Sequence, residues 1–182
     1  MRKLLYVVLL VVPVLVFGDV GIGSAAEDAE FEFILPSIVA VYISNASIVW
    51  DFANVSSNAN NPAFPPASFP EYYEPSSPNV RPYQTIDYLV MFAGATVDWE
   101  LTVVGDGDPA PACGIAIDEI EYAANPPVAW TPFSTTAAAV ASGSGTTSGW
   151  QSLDQNYRVG IDGDEANTAS STCTITYSIQ TL

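Results

Sequence analysis

TCTITYSIQ, residues 172–180, alternates two kinds of side chain along its whole length. Cys173, Ile175, Tyr177 and Ile179 fall on one face, and threonine, serine and glutamine occupy the other. Successive side chains of a strand point to opposite faces of its sheet. The pattern therefore predicts an antiparallel β-strand with one buried face and one solvated face.

The same alternation recurs along most of the chain, for example where Trp99, Leu101 and Val103 share one face. Clusters of Gly, Pro, Asn, Asp and Ser separate the alternating segments, as turns do. We therefore predict an all-β fold, an antiparallel two-sheet sandwich of immunoglobulin-like or jelly-roll-like type. One short Ala-rich window, 136–141, shows a helical period. Further strands are predicted at 31–35, 38–43, 48–52, 86–92, 114–122, 128–133 and 157–161.

The N-terminus has the layout of a secretory signal peptide. Arg2 and Lys3 precede an apolar run at 4–17, and small residues stand just before Glu27. This layout predicts a signal peptide over 1–26. The uncharged run, about 14 residues, is shorter than the ~20 that a membrane-spanning helix needs. We expect a secreted protein, extracellular or at the cell surface, with no membrane insertion after cleavage.

Removal of the signal leaves one domain, 27–182, that is strongly acidic. Its basic residues are Arg81 and Arg158, against 19 acidic ones, a net charge of −17. Such a surface repels nucleic acid and anionic lipid, so neither is expected as a partner. The chain has no His, and its one Lys leaves with the signal. Ser-His-Asp chemistry and His-based zinc sites are thereby excluded, and we predict no enzyme activity.

Cys113 and Cys173 are the two cysteines of the chain. Export places them in an oxidising compartment, which favours a disulfide between them over two buried thiols. A bridge closing a loop of about 60 residues would add roughly 4 kcal/mol by chain entropy.

Two turns concentrate acidic residues. Asp106 and Asp108 flank a glycine, and Asp162, Asp164 and Glu165 surround another. Carboxylate oxygens on turns are the ligands that calcium prefers. Asp-Gly pairs are equally ordinary in hairpin turns, so a calcium site and a plain turn both remain open.

Asn45 and Asn54 each begin an N-x-S sequon. These sequons predict N-glycosylation in a host that has the machinery, and they also arise by chance in an Asn- and Ser-rich chain.

The stretch FPPASFPEYYEPSSP, residues 64–78, combines five prolines with two Phe and two Tyr residues. Its prolines hold the backbone extended, and a proline-rich segment cannot enter the interior of a sheet. We expect it to cross between the sheets or to drape over one. Phe69, Tyr72 and Tyr73 would then either pack on their own domain or form a partner or sugar-stacking surface.

Tyr157, in LDQNYRVGI at 153–161, resembles the tyrosine of a tyrosine corner. It is predicted to begin a strand and to bond a backbone group just upstream through its hydroxyl.

The sequence EDAEFEFIL opens the mature chain and predicts a strand over 30–35. Phe31, Phe33 and Leu35 share its apolar face. Such a strand is either the first strand of its own domain or a strand that completes the sheet of a neighbouring copy.

A signal peptide followed by one acidic, Thr- and Tyr-rich β-sandwich resembles secreted prokaryotic surface-filament subunits, the donor-strand pilins and TasA-like matrix fibre proteins. The resemblance is one of architecture. It implies a structural subunit of an extracellular filament, pilus or surface matrix that polymerises with copies of itself by β-strand complementation, without a cofactor. The alternative is a monomeric secreted module that binds carbohydrate or calcium.

Overall fold

The structure is a computed structural model, and its description covers residues 32, 36–44, 47–53, 61–76, 83–166 and 170–182. Several predictions lie outside the described residues: those for the signal peptide, for Phe31, Phe33 and Leu35, and for the sequon residues Asn45 and Asn54. The unit Ser37–Leu182 contains both sheets.

The described residues form two antiparallel sheets, which confirms the all-β, two-sheet prediction. One sheet has the order β1-β3-β8-β5-β6 with β2 also paired to β8, and the other has the order β7-β4-β9. A single turn of 3₁₀ helix, Ile117–Glu119, precedes β5, and no helix in this part of the chain is long and apolar enough to cross a membrane. The strands are β1 (Ile38–Ile43), β2 (Glu71–Tyr73), β3 (Gln84–Met91), β4 (Asp98–Gly105), β5 (Ile120–Ala124), β6 (Thr131–Pro132), β7 (Ala138–Ser144), β8 (Gln151–Ile161) and β9 (Ile175–Thr181).

The core lies between the inward faces of the two sheets. Leu101 and Val103 of β4 are 0% and 2% exposed, and Ile86 of β3 is fully buried in the same cluster. Tyr177 of β9 belongs to the same buried cluster. The alternation predicted for β4 and β9 is therefore confirmed, because every second side chain enters this core.

A buried polar chain joins the two sheets. The Tyr157 and Tyr177 hydroxyls are 2.9 Å apart, and Tyr177 donates to the buried side-chain oxygen of Gln155. Burial raises the pKa of Tyr157 to about 12, and burial also raises the pKa of Tyr177. The tyrosine-corner prediction is wrong, because Tyr157 lies inside β8 and its hydroxyl bonds a side chain of the opposite sheet.

The helical period at 136–141 does not produce a helix, since β7 covers most of this window. Pairing with β4 overrides the local preference of its alanines, as tertiary context often does. Trp99 of β4 lies opposite Gly143, where an added Cβ would sit 2.5 Å from the indole Cζ2 atom. The absence of a side chain at Gly143 thus makes room for the indole ring.

Candidate interaction surfaces

The proline- and tyrosine-rich segment packs on its own domain. Tyr73 is 0% exposed, its hydroxyl donates to the Ala63 carbonyl at 3.1 Å, and the Trp50 indole donates to the Tyr73 carbonyl at 2.9 Å. Phe52 and Phe64 surround the Tyr73 ring, with centroids 5.4 and 5.9 Å away. Tyr73 therefore belongs to the core, and its placement on a ligand or partner surface is wrong.

The segment also contributes a strand, which the sequence analysis did not foresee. Residues Glu71–Tyr73 form β2 and pair with the end of β8. This pairing is compatible with the prolines because none falls within these three residues and β8 is the one described strand that pairs with β2. Phe69 and Tyr72 stay partly exposed, at 52% and 37%, and Phe69 lies over Gly163, where a Cβ would meet the ring at 3.0 Å.

Arg158 contacts two aromatic rings and one carboxylate beside β2. Its guanidinium lies 3.9 Å from the centroid of the Tyr72 ring and 4.5 Å from that of Trp130, and it forms an ion pair with Glu121. Arg158 and Glu121 face each other across β8 and β5. We call Tyr72, Glu121, Trp130 and Arg158 the arginine clamp. One face of the Tyr72 ring is therefore occupied by Arg158 and is closed to sugar stacking.

The carboxylates of the first acidic turn, Asp106 and Asp108, accept hydrogen bonds from backbone N–H groups. Asp106 accepts the N–H of Thr174 at 2.8 Å, and Asp108 accepts that of Ile117 at 2.8 Å. The hydrogen bond from Thr174 lowers the pKa of the Asp106 carboxyl. The structure does not bring Asp106 and Asp108 together with the second acidic turn, and each carboxylate instead accepts a backbone N–H from another segment of the chain.

The second acidic turn gathers three carboxylates. Oxygens of Asp162, Asp164 and Glu165 lie within 4.8 Å of one another, a donor set that suits a hard cation. Both Glu165 oxygens already accept backbone hydrogen bonds, from Asp162 at 2.6 Å and from Gly163 at 3.0 Å. Nearby, burial and then these three charges raise the pKa of Glu119, although the Ala116 N–H opposes the shift.

Cys113 and Cys173 are present as two thiols, so the predicted disulfide is not formed in the structure. Their segments are held together by the Ala110–Thr172 bridge, and the Ser171 hydroxyl donates to the Pro111 carbonyl at 2.7 Å. Burial is the main cause that raises the pKa of Cys173, and Asp106, Cys113 and Asp108 add to it.

On the opposite side of the sandwich, β1 and β9 approach each other across the two sheets, and no other described strand pairs with their outer edges. In the described part of the chain, β1 pairs with β3 alone and β9 with β4 alone. Inward-facing residues here are half-buried, namely Val41 and Ile43 of β1 and Ile175 and Ile179 of β9. We call the region between these four side chains the open seam.

Backbone groups also point out of the seam. Ser44 donates to the carbonyl of Thr85, which makes this pair a hydrogen-bonded one. Hydrogen-bonded and non-bonded pairs alternate in antiparallel ladders, so Val41 and Ile43 direct their N–H and C=O groups away from β3. The N–H of Leu182 donates to the carbonyl of Asp98, so this pair is also a hydrogen-bonded one. By the same alternation, Ile179 directs its N–H and C=O groups away from β4. Both edges could therefore accept a further strand.

No family model, curated protein or solved structure matches this chain. The surfaces are therefore interpreted from their geometry. Sequence reasoning found the aromatics and acids but missed the arginine clamp and the open seam. The clamp had a usable signal, since Arg158 is one of only two basic residues outside the predicted signal peptide. The seam had none, because it depends on which strands become neighbours.

Proposed function

We propose that the chain is a secreted structural subunit of an extracellular filament, pilus or surface matrix, which polymerises by β-strand complementation between copies. The open seam is the observation that carries this proposal. Val41, Ile43, Ile175 and Ile179 keep apolar surface in contact with solvent, while inward residues at the centre of the core do not. Burying that surface under an added strand would stabilise the subunit, at roughly 25 cal/mol per Å².

The segment at 31–35 has the chemistry to fill this seam. Phe31, Phe33 and Leu35 share one parity, as a strand inserting between two sheets requires, and the residues between them include Glu32. The segment cannot reach β1 of its own copy by a two-residue hairpin. That hairpin would place Pro36 where a positive φ is needed, and the proline ring fixes φ near about −65°. Donation to another copy avoids this restriction.

The test uses the mature chain, 27–182, and the variant Phe33→Asp, observed by electron microscopy and sedimentation. We expect filaments from the unmodified chain and their loss in the variant, because a carboxylate would enter an apolar seam. Glu32→Gln is the matched control, since residue 32 has the opposite parity, and it should assemble normally. A synthetic peptide of residues 27–35, added in excess, should block growth where a scrambled peptide does not. Monomers from the unmodified chain under all conditions would refute the proposal.

We also propose that export oxidises the Cys113 and Cys173 thiols to one disulfide. Each sulfur loses a proton, and the pair gives two electrons to a disulfide-bearing oxidant of the exporting compartment. Mass spectrometry of the exported protein should show a mass lower by two hydrogens and no alkylation without prior reduction. Full alkylation of both residues in unfolded but unreduced protein would overturn this assignment.

The alternative, a monomeric module that binds carbohydrate or calcium, draws its support from the carboxylates of Asp162, Asp164 and Glu165. Calorimetry of the mature chain with calcium and with glycans distinguishes it from the filament subunit. Saturable binding that Asp164→Asn abolishes, by a protein that stays monomeric, would favour this alternative.

A further inference from the structure

The three-stranded sheet has an edge of its own at β7, away from the open seam. In the described part of the chain, β7 pairs with β4 alone. Gly145 donates to the carbonyl of Val97, so this pair is a hydrogen-bonded one. The β4–β7 pairs continue in regular register from there to Ser142, and bonded and non-bonded pairs alternate along it. Ser142 and Ser144 therefore direct their N–H and C=O groups away from β4, toward the side where a further strand could pair.

The sequence of β7 lacks the features that usually protect an edge strand. Proteins block such edges with charged side chains, prolines or bulges. β7, Ala138–Ser144, has no charge and no proline, and the irregularity of its ladder lies at Leu101–Thr102, beyond the two exposed serines. Packing also holds this end of β7 in place, because the Trp99 indole covers Gly143. The edge is therefore preformed, which lowers the entropic cost of binding an extended peptide.

Two carboxylates lie one strand in from this edge, on the outer face of the sheet. Asp98 and Glu100 of β4 stand directly opposite Ser144 and Ser142, and neither carboxylate is buried. Arg158 is the one basic residue in the described part of the chain, and it belongs to the arginine clamp. A strand added to β7 would lie about 10 Å from β4, a distance that a lysine or arginine side chain and a carboxylate can span together. The edge therefore favours positive side chains in the added strand and disfavours negative ones.

We propose that the β7 edge binds an extended segment of a partner protein that carries basic side chains at every second position. Main-chain hydrogen bonds to Ser142 and Ser144 would give the affinity, as in strand addition to other sheet edges. Charge decides the occupant. The segment at 30–35 and the surface of a second copy are acidic, and either would bring like charges toward Asp98 and Glu100. Residues opposite the two serines face the outer side of the sheet, so the basic side chains of the partner belong at those positions.

This binding is separate from the proposed strand exchange. It uses the edge of the other sheet, and its partner has the opposite charge. Ser142→Pro should therefore leave the assembly of filaments unchanged. Failure of the filament proposal would leave this inference standing, and the reverse is also true.

The test measures the calorimetric binding of two peptides, each as long as β7, to the mature chain. One peptide alternates threonine and lysine, and the other alternates threonine and glutamate. We expect saturable binding of the lysine peptide alone. The same lysine peptide with N-methylated lysine amides keeps its charge but loses the N–H groups that pair with the edge, so it should bind about tenfold more weakly. Hydrogen exchange should show that the lysine peptide protects the Ser142 and Ser144 amides.

Substitutions locate the binding. Ser142→Pro removes an outward N–H, which an edge strand tolerates, and should weaken binding of the lysine peptide about tenfold or more. Asp98→Asn should weaken it about threefold. Asp87→Asn is the matched control and should leave binding unchanged, because Asp87 also accepts a serine hydroxyl across a ladder but lies in the other sheet. Circular dichroism checks the fold of each variant.

Each result decides for or against the β7 edge. Binding of the lysine peptide that Ser142→Pro and Asp98→Asn both weaken would support the inference, whether or not the chain forms filaments. Equal binding of the N-methylated peptide, equal losses in Asp98→Asn and Asp87→Asn, or no binding at all would overturn it. Binding of the glutamate peptide would also overturn it, since an acidic strand would then be the occupant.

Discussion

The two edges of the six-stranded sheet are built in opposite ways. At one edge β6 has two residues, Thr131–Pro132, and its proline offers no N–H to a further strand. The arginine clamp covers the sheet beside it. At the other edge β1 has six residues, Ile38–Ile43, with no charge and no proline. The same domain therefore blocks one edge and leaves the other able to pair, which is why the proposed assembly uses β1.

The largest expected effect comes from a lysine at the β1 edge, for which a lysine at the β6 edge is the control. Val41→Lys places an ammonium group in the open seam and should reduce assembly by about a hundredfold or more, because a charge in an apolar contact costs several kcal/mol. Thr131→Lys puts the same group on the exposed β6 edge and should leave assembly unchanged. Light scattering during polymerisation measures both. Equal inhibition by the two lysines would contradict the distinction between the edges.

A pair of alanine substitutions should resolve the difference between core and seam. Leu101 and Ile179 are opposite residues of β4 and β9 on the same inward face, but only Leu101 is fully buried. We expect Leu101→Ala to lower the free energy of unfolding of the monomer by about 3 kcal/mol, and Ile179→Ala by roughly half as much. Urea unfolding at low protein concentration gives both values. Equal losses would mean that the seam is closed in the monomer.

The arginine clamp should have a moderate effect on stability. Arg158→Met removes the ion pair and both ring contacts and leaves Glu121, whose side chain is 16% exposed, without its partner. We expect a loss of about 1–3 kcal/mol in the free energy of unfolding. Arg158→Lys keeps the charge but not the planar stacking. Its free energy of unfolding should therefore lie between those of the unmodified chain and Arg158→Met. Denaturant unfolding in low and high salt separates the charge from the packing, and an unchanged midpoint for Arg158→Met would deny the clamp a structural role.

The smallest effect concerns two carboxyl groups with opposite shifts. The pKa of Glu119 lies above its ordinary 4.5 because burial disfavours its charge. It therefore favours folding when protonated, and stability falls as pH rises through that folded pKa. The pKa of Asp106 lies below its ordinary 3.8, so its contribution is present above that value and is lost as pH falls through the folded pKa.

Melting temperatures between about pH 3 and pH 6 test this pair. Glu119→Gln should flatten the decline of the melting temperature as pH rises, and Asp106→Asn should flatten its decline in acid. Each substitution is the control for the other. Changes of the same sign in both variants would show that the titration is governed by the net charge rather than by these two sites.

Strand faces were predictable from sequence, and strand neighbours were not. The boundaries of β1 match the predicted 38–43, because alternating β-branched residues between turns determine a strand locally. Packing of Tyr73 on its own domain was one of two alternatives from the sequence, and the choice between them depended on pairing with β8 far along the chain. Tyr157 was misread for the same reason, as its partner Tyr177 lies in the other sheet. The open seam likewise exists only once β1 and β9 approach each other.

The arginine clamp has a consequence for survival among extracellular proteases. Enzymes that cleave after basic residues must bind an accessible, extended Arg or Lys. Arg158 lies within β8, and its guanidinium contacts the rings of Tyr72 and Trp130. Arg81, the other basic residue of the mature chain, is followed by Pro82, whose ring and missing N–H hinder cleavage at that bond. The folded domain should therefore resist trypsin-like digestion, which would lengthen the life of the proposed secreted subunit outside the cell.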